Sequence, residues 1–181
     1  MDFCEHCQLM ASYNLRMNRQ LYDAASSLPK HVLDKNLGAF FRSIIGTFNH
    51  LVVADIIWLT RFAEHRQRYE SLQKVSRYPQ PAALNDILYD DFLELRKIRE
   101  ELDGLLIYWL TNEVEEPDFS QTLSYSNTKG IRSTRNFGEL LSHFFNHQTH
   151  HRGQLTTLFA QLDIDVGITD FLIDIPDQTP R

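Results

Sequence analysis

Two cysteines are all that this chain of 181 residues contains, Cys4 and Cys7, in a segment that reads as helical. A pair so close cannot staple distant parts of a fold. With no second pair and no nearby strand pattern, the spacing supports neither a zinc knuckle nor a redox motif. Stability must come from packing. Glycine and proline are sparse, 7 and 6 residues, and alternating β-branched runs are few, so long segments are free to follow helical periodicity. No stretch reaches the 18 or so consecutive apolar residues of a membrane span, and no basic segment leads into an apolar run at the amino terminus. The chain therefore reads as soluble and cytoplasmic, with no membrane partner. Basic residues are outnumbered, 18 against 24 acidic ones for a net charge of -6. They are scattered rather than gathered into a stripe that could follow a phosphate backbone, which argues against nucleic acid as a direct partner.

What is present is apolar residue in quantity, 43%, enough for one ordinary domain over residues 1–181 with a sizeable core. Its periodicity predicts four long helices. The first runs from about Cys4 to Ser26, with Leu9, Tyr13, Met17, Leu21 and Ala24 at three- and four-residue steps. The second, from about Leu37 to Glu64, carries Phe40, Ile44, Phe48, Leu51, Trp58 and Phe62 on one face and Val53 and Ile57 on the other, so it should be the most buried. A polar connection through Pro79 and Pro81 leads to Asn85, a candidate cap for a third helix over about Asp86 to Asn112. Its stripe is Ile87, Phe92, Leu95, Ile98, Leu102, Leu105 and Trp109. Thr122–Tyr125 and Ile131–Thr134 flank a turn at Asn127–Gly130 and suggest a short hairpin. Asn136 with Glu139 resembles a capping box opening the fourth helix, about Phe137 to Leu162. The tail from Asp163 to Arg181, with Val166, Ile168, Phe171, Leu172 and Ile173, should dock on the bundle.

Four of eight histidines fall between His143 and His151. On a wheel of about 100° per residue with Leu140 at zero, Phe144, Leu155, Leu158 and Leu162 mark the core face between about 0° and 60°. His147 at about 340° and His151 at about 20° share that face, while His143 and His150 fall at its margin. Two imidazoles one turn apart can both reach a cation about 2.1 Å away. Left unpaired in an apolar interior, their nitrogens would cost about 1–3 kcal/mol each, although a lone inward histidine is ordinarily satisfied by a hydrogen bond. A third ligand is required, and His50, mid-way along the most buried helix, is the candidate. Asp55, on the main apolar face of that helix, is open to three readings: ligand, acceptor for a ligand's N–H, or partner of an arginine. The last is favoured because core acids are usually paired.

These residues resemble a known family. Asn146-His147-Gln148-Thr149-His150-His151-Arg152-Gly153-Gln154 is similar to the Asn-His-x-x-x-His-Arg-Gly-Gln signature of the DinB family of bacterial damage-inducible proteins. Phe48-Asn49-His50 and the lead-in from Gly138 to His143 fit as well, and the resemblance spans nearly the whole chain. It implies an all-α fold, a four-helix bundle with long crossover connections, commonly a homodimer. It also implies one divalent metal ion, such as nickel or zinc, on His50, His147 and His151. Relatives include thiol-dependent S-transferases and a thiol-dependent isomerase, so a low-molecular-weight thiol is a possible cosubstrate, but an activity is not inherited with a fold.

Three neutral imidazoles would leave coordination positions for water or a substrate thiol, making hydrolysis and thiol transfer of a small-molecule substrate both accessible. Gln154 is placed to hydrogen-bond beside the site. Arg152 suits steering of an anion or, preferably, an interhelix or dimer salt bridge. His143 and His150 are not expected to be ligands. A metal-dependent enzyme is the leading expectation. Its competitors are a non-catalytic, metal-stabilised stress-response bundle and a metal-free scaffold.

Overall fold

The computed structural model describes residues 2–179. Four long helices dominate: α1 (Phe3–Ala25), α3 (Ile44–Ala63), α4 (Phe92–Asn112) and α5 (Phe137–Ala160), with a single-turn α2 (Lys30–Leu33) between the first two. α1 packs on α4 and α5, and α3 packs on the same two. Consecutive long helices α1 and α3 therefore stand at opposite corners, as do α4 and α5, and the chain must cross the end of the bundle to connect them. Strands β1 (Thr122–Ser126) and β2 (Arg132–Asn136) form the expected antiparallel hairpin, Ser124 opposite Thr134. Gly130 closes its turn at φ 76°, a conformation that favours glycine.

The core follows from the apolar faces. Trp109 and Phe62 stack with centroids 5.6 Å apart, and Phe137 meets Phe62 edge-on at 5.5 Å. All three are fully buried, and each such side chain contributes about 1.5–3 kcal/mol from burial alone.

Two helix starts differ from the sequence reading. α3 begins at Ile44, because Ser43 takes an extended conformation and its side chain accepts from the N–H of Gly46 at 3.1 Å. Residues 37–43 form a tight turn instead, with Arg42 in the left-handed region at φ 68°, and Phe40 is turned out to solvent, 83% exposed. α4 begins at Phe92, capped by Asp91 rather than Asn85, and Ile87 lies outside the helix and is exposed. At the start of α5, Asn136 accepts from the N–H of Glu139 as expected, while its amide donates to the Phe119 carbonyl at 2.9 Å. The tail is fastened to α1 through Arg16–Asp174 at 2.7 Å and Tyr13–Phe171 at 5.0 Å. Ile168, Leu172 and Ile173 nevertheless face solvent, and the last two residues of the expected cover, Pro180 and Arg181, lie outside the described residues.

The interior also holds a polar network joining all four corners. Arg99 of α4 pairs with Asp55 of α3 at 2.6 Å and with Asp103 one turn along at 3.0 Å. Asp103 accepts from Asn18 of α1 at 2.9 Å and Asn14 at 3.3 Å. Asp55 accepts from Gln148 of α5, and Arg152 of α5 donates to Asn14. Burial pushes the Asp55 carboxyl up to about 6 against the restraint of Arg99, and the same burial pushes Arg152 down to about 10. Groups this deeply buried are tolerated only where each finds a partner.

Candidate metal centre

His50 lies in the second turn of α3 and is 3% exposed. His147 and His151 sit one turn apart on α5, across the α3–α5 contact. The Nε2 atom of His50 is 3.1 Å from that of His147 and 3.2 Å from that of His151. Nitrogens about 2.1 Å from one ion, at ligand angles of about 100°, stand about 3.2 Å apart. The His50 nitrogen thus stands at coordination spacing from both of the others, and the three ligating atoms all lie within 4.8 Å of one another.

Their hydrogen bonds decide which nitrogens are bare. His50 Nδ1 is 2.8 Å from the Leu84 carbonyl. A carbonyl can only accept, so the ring proton resides on Nδ1 and the Nε2 lone pair faces the centre. His151 Nδ1 is 2.8 Å from Gln154 Oε1, and the Gln154 amide nitrogen points to His150 Nε2 at 3.4 Å, which fixes the amide's orientation and the same tautomer for His151. Two lone pairs at 3.2 Å repel unless a cation lies between them. Ring protonation is a poor substitute. Burial pushes His50 down to about 4, with His151 nearby adding to the effect, and pushes His147 down to about 3, helped by the four histidines around it; His151 moves the same way. The donor set fits a metal ion that accepts imidazole nitrogen.

Phe41 closes one side, stacked on His50 at 3.7 Å and 15° and edge-on to His151 at 5.5 Å. The turn that carries it is tied by Leu37 N–H donating to the Arg42 carbonyl at 2.7 Å. Sequence periodicity extended the helix through this turn and so missed Phe41; Ser43, a good capping residue three positions before Gly46, was the available signal. The Leu84 carbonyl carried none, being main chain from a distant connection.

The other candidates separate cleanly. Asp55 is no part of the cluster and pairs with Arg99. Arg152 braces α5 against α1 through Asn14 and Tyr13 rather than through a salt bridge. His143 is exposed beside Trp58, and His150 is exposed beside Gln154. Cys4 and Cys7 are free, and burial pushes the Cys7 thiol up to about 12, which leaves it inert. A cleft of about 710 Å³ between Tyr78, Tyr89 and Tyr108 includes none of the three histidines, and another of about 580 Å³ shares only Phe41 with the site.

The sequence matches the DinB family over residues 3–180. The chain belongs to the DinB family. It is 26% identical over 160 residues to Protein DinB of Bacillus subtilis (strain 168), an alignment covering 88% of this chain and 87% of that protein. No solved structure matches. The helical fold and the three-histidine cluster are compatible with a metal-binding DinB-like protein. No helix among the described residues is long and apolar enough to cross a membrane.

Proposed function

We propose that His50, His147 and His151 hold one divalent metal ion, zinc or nickel, and that this DinB-family chain is a cytoplasmic metal-dependent enzyme acting on a small molecule through water or a thiol. The observation that carries this reading is the convergence of imidazole lone pairs whose tautomers are set from behind by Leu84 and Gln154. When bound, the ion supplies Lewis-acid chemistry, lowering the pKa of a water or thiol that reaches it. The protein's part is to hold the ligands neutral, orient them, and keep water from one flank with Phe41. Hydrolysis and S-transfer are the two reactions this chemistry serves. Assembly as a homodimer, implied by the family resemblance, belongs to the same reading and is tested by sedimentation.

Elemental analysis of untagged protein tests the assignment. About one equivalent of metal is expected in the wild type and in His143→Ala, and none in His147→Ala or His151→Ala. Full metal in either of the last two would refute it. A second reading, the ion as a purely structural clamp between α3 and α5, is favoured by the burial of His50 and His151. Cobalt-substituted protein separates the two: added azide or a small thiol perturbs the visible spectrum of an open site and leaves a closed one unchanged.

A further inference from the structure

His143 stands one turn before His147, with ring centroids 6.1 Å apart, and meets Trp58 of α3 edge-on at 5.3 Å. Trp58 in turn meets Tyr125 of β1 at 5.4 Å. These rings, with Leu140, Arg135 and Glu139, line a cavity of about 330 Å³, within the range of small-molecule sites. The three metal-site histidines do not line it, so it is a separate pocket, on the side of the triad where His147 is only half-buried.

Its walls have distinct chemistry. Trp58, Tyr125 and Leu140 form an apolar side. Arg61 lies over Trp58 at 4.7 Å and Tyr125 at 4.9 Å and donates to the Ser126 carbonyl at 3.1 Å, fixing both rings in place. Arg61 is therefore already engaged. Arg135 is not: it lines the cavity and, among the described residues, forms no ion pair. An exposed guanidinium that forms no ion pair with the carboxylate sharing its pocket, beside an apolar wall, can receive a ligand carboxylate. Glu139 is the single carboxylate lining the pocket and opposes a second negative charge, so a monoanion fits better than a dianion.

We propose that this pocket anchors the non-reacting part of the substrate and selects a small monocarboxylate with an aromatic or branched apolar body. The proposal rests on the metal-site reading for its catalytic meaning, but the pocket's binding can be measured without it.

The chain's two tryptophans make the test direct, because Trp58 lines the pocket while Trp109 is fully buried elsewhere and serves as an internal reference. Isotope-labelled protein is titrated with phenylacetate, and separately with phenethylamine, which keeps the ring and reverses the charge. Phenylacetate is expected to move the Trp58 indole N–H signal saturably and leave Trp109 unmoved, with phenethylamine far weaker. Arg135→Gln should weaken phenylacetate binding roughly fivefold, as expected for one exposed ion pair, and Tyr125→Leu should weaken it as well. The same titration on chelator-treated protein should be unchanged, since the carboxylate is held by Arg135. A still Trp58 signal, equal response to the amine, an Arg135→Gln variant that binds like wild type, or loss of binding after chelation would each overturn the proposal. Metal content measured on the same samples judges the histidine site independently.

Discussion

His50 Nδ1 lies 2.8 Å from the main-chain carbonyl of Leu84, a residue of the long connection between α3 and α4. The contact fixes the tautomer of a buried histidine from a stretch of that connection that lies outside any helix or strand, and it leaves Nε2 free to act as a ligand. A main-chain acceptor cannot be removed by substitution, so its counterpart on α5, Gln154, is the accessible probe.

Gln154→Ala should lower metal affinity by about tenfold or more while leaving the fold intact, because Gln154 orients His151 without being a ligand. Competition with a chromophoric chelator measures the change. An unaltered dissociation constant would show that His151 is oriented by its packing alone.

The metal-free protein should lose stability as pH falls from about 6.5. In the folded state His50 titrates near 4 and His147 near 3, whereas an unfolded imidazole titrates near 6.5. The unfolded chain therefore takes up protons first, and the contribution of these groups is complete above about pH 6.5 and declines toward pH 4. Because the same burial weakens proton competition for the ligands, metal should be retained below the pH of about 6 that free imidazoles would imply. Urea midpoints of chelated and metal-loaded protein across pH 4–7 check both statements, and a flat profile for the chelated form would contradict them.

Arg99→Met should destabilise the protein by about 3–5 kcal/mol, since it strands the buried carboxylates of Asp55 and Asp103. Asp55→Ala should cost less, because Arg99 keeps Asp103. Urea unfolding of the two variants gives the order, and the reverse order would mean that Asp55 rather than Arg99 is the centre of the network.

Gly46→Ala should damage both stability and metal binding. A Cβ at this position would collide with the main-chain carbonyl of Phe41, which cannot move aside without displacing the turn that stacks Phe41 on His50. A loss of about 1–3 kcal/mol is expected, typical of overpacking, together with weaker metal retention. Thermal unfolding and metal titration of the variant measure the two effects, and wild-type metal affinity would detach Phe41 from the site.

Much of this was legible from periodicity. The angles of His147 and His151 on the α5 wheel placed them inward, and the structure puts both within 3.2 Å of His50. The reading of Asp55 as an arginine's partner holds, with Arg99 now named. Where helices begin was read less well: apolar Leu37, Phe40 and Phe41 continue the stripe of α3, but capping by Ser43 and the left-handed Arg42 break the helix there. Ile87 likewise fits the phase of α4 yet lies before its cap. Periodicity reports which face is apolar and is blind to a cap that interrupts it.

The order of residues along the chain determined the four amphipathic helices, the hairpin and the inward pair on α5, because each is a local consequence of side-chain spacing. Only the tertiary structure decided that α3 lies against α5 in the register that brings His50 to that pair, that Leu84 and Phe41 orient and cover it, and that Trp58, Tyr125 and Arg135 share a cavity. Those relationships join residues tens of positions apart. Their geometry is set by how faces of different helices pack, which spacing within any one helix does not encode.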